Sequence, residues 1–217
     1  MPGALRRIGI GIEKDPEKVI ASAGSVSGPF ETICYCRPGM ADKKTAKKTV
    51  HFFETPHPEQ ALVDDLVSGT IDAAVRGTLP SNTTLKALKV AMGVDHLERI
   101  ALLETVHGKK FLLTPVGVDE GWTVAEKLEL IKKGRIIAKK FGLPEKTGIL
   151  SGGRLGDIGR HPQVDASMAE AELVARLGDA THCEILIEDA VETCGLIIAP
   201  NGISGNLVFR TLTFLGG

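Results

Sequence analysis

A glycine-rich, basic loop over residues 151–162 is the stretch of this sequence whose residue types could do chemistry. It contains glycines, two arginines and a histidine, namely Gly152, Gly153, Gly156, Gly159, Arg154, Arg160 and His161. Glycines let the backbone approach a ligand closely, and guanidinium groups offer forked hydrogen-bond donors. Pro162 then opens a helix, whose first N–H groups favour negative charge. An anion, phosphate above all, suits such a loop.

The same loop fits a second interpretation, a solvent-exposed connection between a strand and a helix. It matches neither the GxxxxGK[ST] nucleotide pattern nor a well-placed GxGxxG. The spacing of the residues therefore leaves both interpretations open.

Two further loops follow a strand and precede a helix. One covers residues 76–84, the other covers residues 201–206, and both contain polar side chains. In a parallel sheet the carboxyl ends of the strands share one edge, so we expect the three loops to gather there around an anionic ligand. The predicted ligand-binding residues are Arg76, Ser81, Thr83, Ser151, Arg154, Arg160, His161, Ser204, Gly205 and Asn206. No catalytic residue and no metal ligand is assigned.

Alternating strand and helix patterns surround these loops. Short apolar runs predict strands at residues 8–12, 31–36, 50–53, 71–75, 147–150, 184–188 and 195–199, and two runs between residues 99 and 116 predict a β-hairpin. Helices are expected after an Asp15 N-cap and over residues 58–67, 85–92, 123–141 and 162–177, with a last, mostly buried helix after Asn206.

Strands that alternate with helices across short links predict βαβ units. The expected fold class is α/β, a three-layer α/β/α arrangement with a mixed, mainly parallel sheet. We expect a single α/β domain over residues 1–217, with a boundary between two lobes near residues 76–98.

Composition and charge exclude several classes of function. The 217 residues carry 26 basic and 27 acidic side chains and only 4% aromatic residues, which argues against a nucleic-acid binder. No apolar run reaches the ~18 residues of a membrane span, and the first residues lack a secretory pattern. We therefore expect a cytoplasmic protein that binds no nucleic acid and no membrane.

The cysteines and a few acidic residues offer weaker alternatives. Cys34 and Cys36 fit buried small side chains in a strand better than metal ligands. His182 and Cys183 could form a thiol-imidazole pair, but neighbours in a strand face opposite ways. Asp189 and Glu192 fit either paired carboxylates or a solvated strand end, and the sequence does not choose between them.

Three stretches resemble the phosphate acetyl/butyryltransferase superfamily. They are DAAVRGTLPSNTTLKAL (residues 72–88), GILSGGRLGDIGRHPQVDASMAEAE (residues 148–172) and CGLIIAPNGISGNLVFRTLTFLGG (residues 194–217), and the most specific match is HPQVD from His161 to Asp165. IGIGIEKDPEKVIASA and HGKKFLLTPVGVDEG resemble a methyltransferase-related family of methanogens, one of the methanogenesis marker families.

The resemblance implies a fold related to isocitrate and isopropylmalate dehydrogenases and a transferase that takes coenzyme A or phosphate as substrate. It also implies methyltransferase partner subunits, and we expect a homodimer. The acyltransferases hold their catalytic serine, arginine and aspartate in a continuation beyond the position of Gly217, so no catalytic role passes to this chain. A non-catalytic ligand-binding or accessory subunit of a methyl-transfer system is the alternative.

A Rossmann-type S-adenosylmethionine site is not expected. Such a site needs a glycine-rich turn directly after the first strand and an acidic residue at the end of the second. Here Gly11 is followed by Ile12 and Glu13, and the second strand ends in Cys36 and Arg37. Methyl transfer therefore enters through the resemblance alone.

Overall fold

The chain divides into two compact units, Met1–Leu97 and Glu98–Gly217. The computed structural model describes residues 5–40 and 47–216, and each unit is described by itself. The expectation of a single domain with a boundary near residues 76–98 stays a prediction.

The first unit contains a four-stranded parallel sheet. Its elements are β1 (Arg6–Gly11), α1 (Pro16–Ser25), β2 (Phe30–Cys36), β3 (Val50–Glu54), α2 (Pro58–Val67), β4 (Ala73–Val75) and α3 (Ser81–Ala91). The strand order is β3-β2-β1-β4, with parallel pairing throughout. The order of strands reverses its direction between β1 and β4. Ligands usually bind at such a point in open α/β sheets.

Side chains of β2 alternate between the two faces of this sheet. Cys34 and Cys36 pack with Ile20 of α1, whereas Tyr35 packs with Leu62 of α2. Both thiols are fully buried. This packing agrees with the interpretation of Cys34 and Cys36 as small buried side chains.

The first helix begins at the Asp15–Pro16 pair, as the sequence predicts. Asp15 is the N-cap and Pro16 is the first helical residue. The Asp15 side chain forms no capping hydrogen bond, and its backbone lies in the left-handed region with φ 49°. Pro16, whose ring fixes φ for a first helical turn, therefore accounts for the start.

The second unit contains a five-stranded mixed sheet. Its elements are β5 (Ala101–Glu104), β6 (Lys110–Thr114), α4 (Val124–Lys140), β7 (Thr147–Ile149), a 3-10 turn (Leu155–Asp157), α5 (Pro162–Leu177), β8 (Thr181–His182), α6 (Ile187–Thr193), β9 (Leu196–Ile198) and α7 (Gly202–Phe214). The strand order is β5-β6-β9-β7-β8. The β5-β6 pair is antiparallel, which confirms the predicted hairpin, and the other pairs are parallel.

Both faces of the second sheet are covered by helices. Leu196 and Ile198 of β9 join a core cluster with residues of α4 and α5. Ile197, between them, faces the opposite side, in a cluster with α6 and, at its margin, α7. The second unit is therefore a three-layer α/β/α sandwich built from period-two strands.

The predicted strand at residues 184–188 is wrong. The strand at this point is β8 (Thr181–His182), and Ile187 begins α6. The positions Ile187, Ala190, Val191 and Cys194 follow helical spacing, and the last three are buried. A short apolar run can belong to either element, and here the helical face packs on the sheet.

The last helix also differs from its prediction. It begins at Gly202 rather than after Asn206, and it is not buried on most sides, since Leu207 is 62% and Phe214 65% exposed. The helix packs on the sheet along one side, through Gly205 and the partly buried Val208 and Phe209. Likewise α3 begins at Ser81, four residues before the predicted start.

The described strands form two sheets rather than the one mixed, mainly parallel sheet that was expected. The sequence gives the order of strands along the chain but not which strands pair.

No helix of the described residues is long and apolar enough to cross a membrane.

Candidate functional site

The glycine-rich loop lies at the carboxyl edge of the second sheet. β7 ends at Ile149 and pairs in parallel with β9, whose following residues lead into α7. Two of the three predicted loops, residues 151–162 and 201–206, therefore follow neighbouring parallel strands at one edge. The loop of residues 76–84 follows β4 of the first sheet. That it meets the other two loops at one site stays a prediction.

The helix after the loop begins as its sequence predicts. His161 is the N-cap of α5, and its Nδ1 atom accepts a hydrogen bond from the Gln163 N–H at 3.2 Å. Pro162 occupies the first helical position. His161 is exposed, and its backbone N–H group has no acceptor among the described residues.

Acidic side chains accept hydrogen bonds from several backbone N–H groups of the loop. The Asp157 carboxylate accepts from the Arg154 N–H at 2.9 Å, and Asp165 accepts from the Gly159 N–H at 2.9 Å. Glu184 accepts from the Leu155 N–H at 3.3 Å. These carboxylates hold positions that the oxygens of an anionic ligand could also take.

The two loop arginines differ in their partners. Arg160 is exposed and forms an ion pair with Asp157, with Nη1 2.7 Å from Oδ1. The Arg154 guanidinium is also exposed, and within the described residues it has no hydrogen bond or ion pair. An exposed ion pair contributes little free energy, so a ligand could displace the Asp157 carboxylate from Arg160 at small cost.

Ser151 is buried and contacts an array of polar side chains that extends to the surface. Its Oγ donates to the Gly153 carbonyl at 3.0 Å and lies 2.9 Å from His182 Nε2. His182 Nδ1 lies 3.4 Å from a carboxylate oxygen of Glu172. The sequence did not single out His182 with Ser151, because the two side chains meet only through the pairing of β7 with β8.

The three predicted residues of α7 stabilise the edge of the sheet. Ser204 completes a capping box with Asn201, and Asn206 donates to the Val116 carbonyl at 2.7 Å. Gly205 packs so closely that a Cβ atom would overlap the Pro115 carbonyl oxygen. These contacts hold α7 against the turn that follows β6.

That turn contains a buried carboxylate which the sequence reading missed. Glu120 is fully buried, and it accepts from the Arg99 guanidinium and from the Gly117 N–H, the latter at 3.3 Å. Burial alone would lower the pKa of Arg99, but the hydrogen bonds and charges of Glu120 and Asp119 raise it above its ordinary value. Glu120 lies between two predicted elements, where no local sequence pattern marks a buried carboxylate.

In the first unit, the predicted residues lie at the end of β4 and the start of α3. Arg76 donates to the Leu79 carbonyl, and the Thr83 hydroxyl donates to the Pro80 carbonyl at 3.2 Å. Ser81 is exposed in the first turn of α3. The cationic group of Arg76 is thus bonded within its own loop.

Thr78 closes the usual ligand crevice of this first sheet. Its hydroxyl accepts from the N–H groups of Glu13 and Lys14 at 2.9 and 3.0 Å, and donates to the Lys14 carbonyl at 2.8 Å. The turn after β1, where a nucleotide-binding sheet would place a ligand, is therefore occupied by the chain itself.

A cleft of about 490 Å³ lies beside Thr83 at the carboxyl edge of the same sheet. Its lining includes Arg37, which forms ion pairs with Glu13 at 3.1 Å and Glu59 at 3.6 Å. Because two carboxylates compensate the one guanidinium, this cleft is a poorer anion site than the loop of the second unit.

Within the described residues no group of three or more histidine, cysteine, aspartate or glutamate side chains could hold a metal ion, and no cysteine forms a disulfide. Burial, with a contribution from Cys194, raises the pKa of the Cys183 thiol to about 11. His182 and Cys183 contact different partners, as expected for neighbours in a strand.

The fold is shared with a solved acyltransferase. A branched-chain phosphotransacylase from Enterococcus faecalis V583 superposes with a TM-score of 0.71 at 18% sequence identity, over 97% of this chain and 85% of that one. At this identity the likeness concerns the fold alone. It agrees with the α/β fold that the sequence resemblance implied.

Curated relatives come from methanogenic archaea. No protein-family model matches the chain. Two relatives are called "Putative methyltransferase mtx subunit X": the Methanosarcina barkeri protein is 42% identical over 97% of this chain and 80% of its own length, and that of Methanosarcina mazei is 42% identical over 97% of this chain and 77% of its own length. Such identity over nearly the whole chain means that the protein belongs to the family of the mtx subunit X proteins.

Proposed function

We propose that the loop of residues 151–162 binds a phosphate-bearing ligand, either phosphate or the pyrophosphate of a coenzyme A-type molecule, and that the protein is a transferase acting on that ligand. The observation that carries this proposal is the Arg154 guanidinium, exposed and without a partner among the described residues, in a glycine-rich loop that enters α5. A cation without a partner, next to Gly153, which packs against Val164 in the first turn of α5, favours an anion.

The loop itself limits which atoms would hold the ligand. Asp157, Asp165 and Glu184 already accept from N–H groups of the loop. The N–H groups of Gly156 and His161 have no acceptor among the described residues. The ligand would therefore contact the Arg154 and Arg160 guanidinium groups and these two N–H groups, and it would take Arg160 from Asp157.

The α7 residues are assigned a supporting part in this proposal. Ser204 and Asn206 are already engaged in hydrogen bonds that shape the edge of the sheet. The joining of Arg76, Ser81 and Thr83 to this loop stays a prediction, since β4 belongs to the first sheet.

An accessory role in methyl transfer is the second candidate function. The relatives are named as a subunit of a methyltransferase, which favours a protein that works with partner subunits in methanogenesis. In this chain Thr78 closes the turn after β1, where a Rossmann-type methyl donor would bind. If the chain contributes to methyl transfer, we therefore expect the methyl donor to lie on a partner subunit.

Other expectations remain part of the proposal. They are the relation of the fold to isocitrate and isopropylmalate dehydrogenases, the homodimer and the cytoplasmic location. Each follows from the sequence resemblance or from composition, and size measurement in solution tests the homodimer directly.

Ligand-dependent stabilisation combined with a turnover assay separates the two candidate functions. Thermal unfolding is measured with phosphate, coenzyme A or acetyl-coenzyme A, and in parallel the protein is mixed with acetyl-coenzyme A and phosphate together, so that formation of acetyl phosphate and release of coenzyme A can be measured. A ligand at about one hundred times its dissociation constant adds about 2.7 kcal/mol to the free energy of unfolding. Stabilisation with turnover supports a transferase, stabilisation without turnover supports an accessory binder, and no stabilisation by any of the ligands contradicts the anion site.

A further inference from the structure

Ser151, His182 and Glu172 form an array of polar side chains at the beginning of the glycine-rich loop, in which Ser151 is buried, His182 is partly buried and Glu172 is exposed. Ser151 is 1% exposed and the His182 side chain 11% exposed, so water does not compete freely for their polar atoms. The parallel pairing of β7 with β8 sets Ile149 opposite His182. Ser151, two residues further along, is thereby brought against the imidazole ring.

The hydrogen bonds of Ser151 assign the proton on His182. The Ser151 hydroxyl has one hydrogen, which it donates to the Gly153 carbonyl at 3.0 Å. Ser151 must then accept at its contact with His182, so His182 Nε2 carries a hydrogen and donates across 2.9 Å. Glu172 of α5 lies 3.4 Å from Nδ1, and a hydrogen bond there needs a second ring hydrogen, as in the imidazolium form.

Serine, histidine and an acidic residue in this order also occur in hydrolase triads. Here the Ser151 hydroxyl is buried and is directed to a backbone carbonyl, so it has no open path to a substrate. The array therefore positions the backbone. The Gly152 N–H, bonded to Ser167 Oγ at 2.9 Å, adds a second attachment of the same turn.

We infer that His182 is a positioning residue, whose Nε2–H directs the Ser151 hydroxyl onto the Gly153 carbonyl and so fixes the turn that presents Arg154 to the ligand. This inference rests on the proposed function for its effect on binding. The geometry of the turn itself does not depend on any ligand.

The test compares His182→Gln, His182→Leu, Ser151→Ala and the double variant His182→Leu with Ser151→Ala. Amide hydrogen exchange at Gly152 and Arg154 and phosphate affinity are measured for each. Glutamine keeps an N–H donor, so we expect values near those of the wild type. His182→Leu and Ser151→Ala should each raise the exchange rate about tenfold and weaken phosphate binding severalfold. The double variant should be no worse than either single variant, because both substitutions break the same chain of hydrogen bonds.

His107→Leu is the matched control, because this histidine is exposed in the β5-β6 turn. Additive effects in the double variant, a glutamine variant as impaired as the leucine one, or unchanged exchange at Gly152 would each overturn the inference. If the wild type binds no phosphate, the proposed function fails, and the exchange data still decide the role of His182.

Discussion

Asp157 Oδ1 lies 2.7 Å from Arg160 Nη1 at the rim of the glycine-rich loop, so a carboxylate of the chain occupies one of the two cations offered to an anion. The same carboxylate accepts from the Arg154 N–H. The side chain therefore stabilises the loop and competes with a ligand at the same time. The Asp157 carboxylate thereby offsets part of the positive charge of the loop.

Asp157→Asn separates these two roles. The amide oxygen still accepts from the Arg154 N–H, but the negative charge beside Arg160 is lost. We expect phosphate to bind about three- to tenfold more tightly, since an exposed charge at this distance contributes about 1 kcal/mol. Calorimetric titration with phosphate at moderate salt, about 0.1 M, measures the change.

Glu188→Gln is the control for Asp157→Asn, because Glu188 is an acidic residue of α6 outside the loop. Its phosphate affinity should stay within about twofold of the wild-type value, because salt screens exposed charges that lie more than about 10 Å apart. Equal affinities of the Asp157 variant and the wild type would mean that this carboxylate does not compete with the ligand.

Arg154→Ala and Arg160→Ala should each weaken phosphate binding. A charge-assisted hydrogen bond contributes about 1.5–3 kcal/mol, which corresponds to roughly tenfold or more in affinity. Arg154 should have the larger effect, because no carboxylate of the described residues compensates its charge. The dissociation constant at several salt concentrations gives the comparison.

A lysine on another helix provides the control for the arginine variants. Lys140 is exposed in the last turn of α4, so Lys140→Ala removes a positive charge without touching the loop. It should leave the dissociation constant nearly unchanged. If all three variants weaken binding to the same extent, phosphate responds to net charge and not to this loop.

Arg99→Met should destabilise the second unit. The substitution leaves the fully buried Glu120 carboxylate without its guanidinium partner, which we expect to cost about 2–3 kcal/mol of unfolding free energy. The cost is at the lower end for a buried pair because Arg99 is itself partly exposed. Urea unfolding of the whole chain provides the measurement.

Lys132→Ala is the matched comparison for Arg99→Met, since it breaks an exposed pair with Glu129 at 3.8 Å. It should change the free energy of unfolding by no more than about 0.5 kcal/mol. Similar losses in the two variants would contradict the view that Glu120 and Arg99 hold the turn before α4.

Cys183 should react slowly with iodoacetamide in the folded protein. Burial first, and then Cys194, raise its pKa to about 11, so the reactive thiolate is scarce at pH 8. The rate should rise about tenfold per pH unit up to that pKa, because each unit increases the thiolate fraction tenfold. Mass spectrometry of the modified peptide follows the reaction, and an equal rate in urea-unfolded protein at pH 8 would contradict the raised pKa.

Local signals in the sequence located the elements around the loop. Pro162 marked the start of α5, and the capping histidine before it was already among the predicted residues. The apolar runs on each side of His107 predicted the antiparallel hairpin. Asn201 and Ser204 also have the spacing of a capping box, which marks the start of α7 at Gly202, whereas the apolar run alone places the start after Asn206.

Pairings distant in the sequence could not be read in this way. Ser151 and His182 are brought together by strand pairing, and Arg99 reaches Glu120 across the hairpin. Neither pair has a fixed spacing. The assignment of strands to two sheets depends on the same tertiary pairings. The acidic residues that occupy the loop N–H groups were missed because a carboxylate near a basic loop has no unique local pattern.

Titration of the full chain with phosphate, followed in two-dimensional amide NMR spectra, tests the anion site most directly. We predict saturable shifts at the N–H groups of Gly156 and His161 and at the Arg154 and Arg160 side chains, and in Arg154→Ala the remaining shifts should saturate only at roughly tenfold or more higher phosphate. Shifts confined to other parts of the chain, or equal phosphate affinities from the Gly156, His161 and Arg160 shifts in the wild type and in Arg154→Ala, would contradict the anion site.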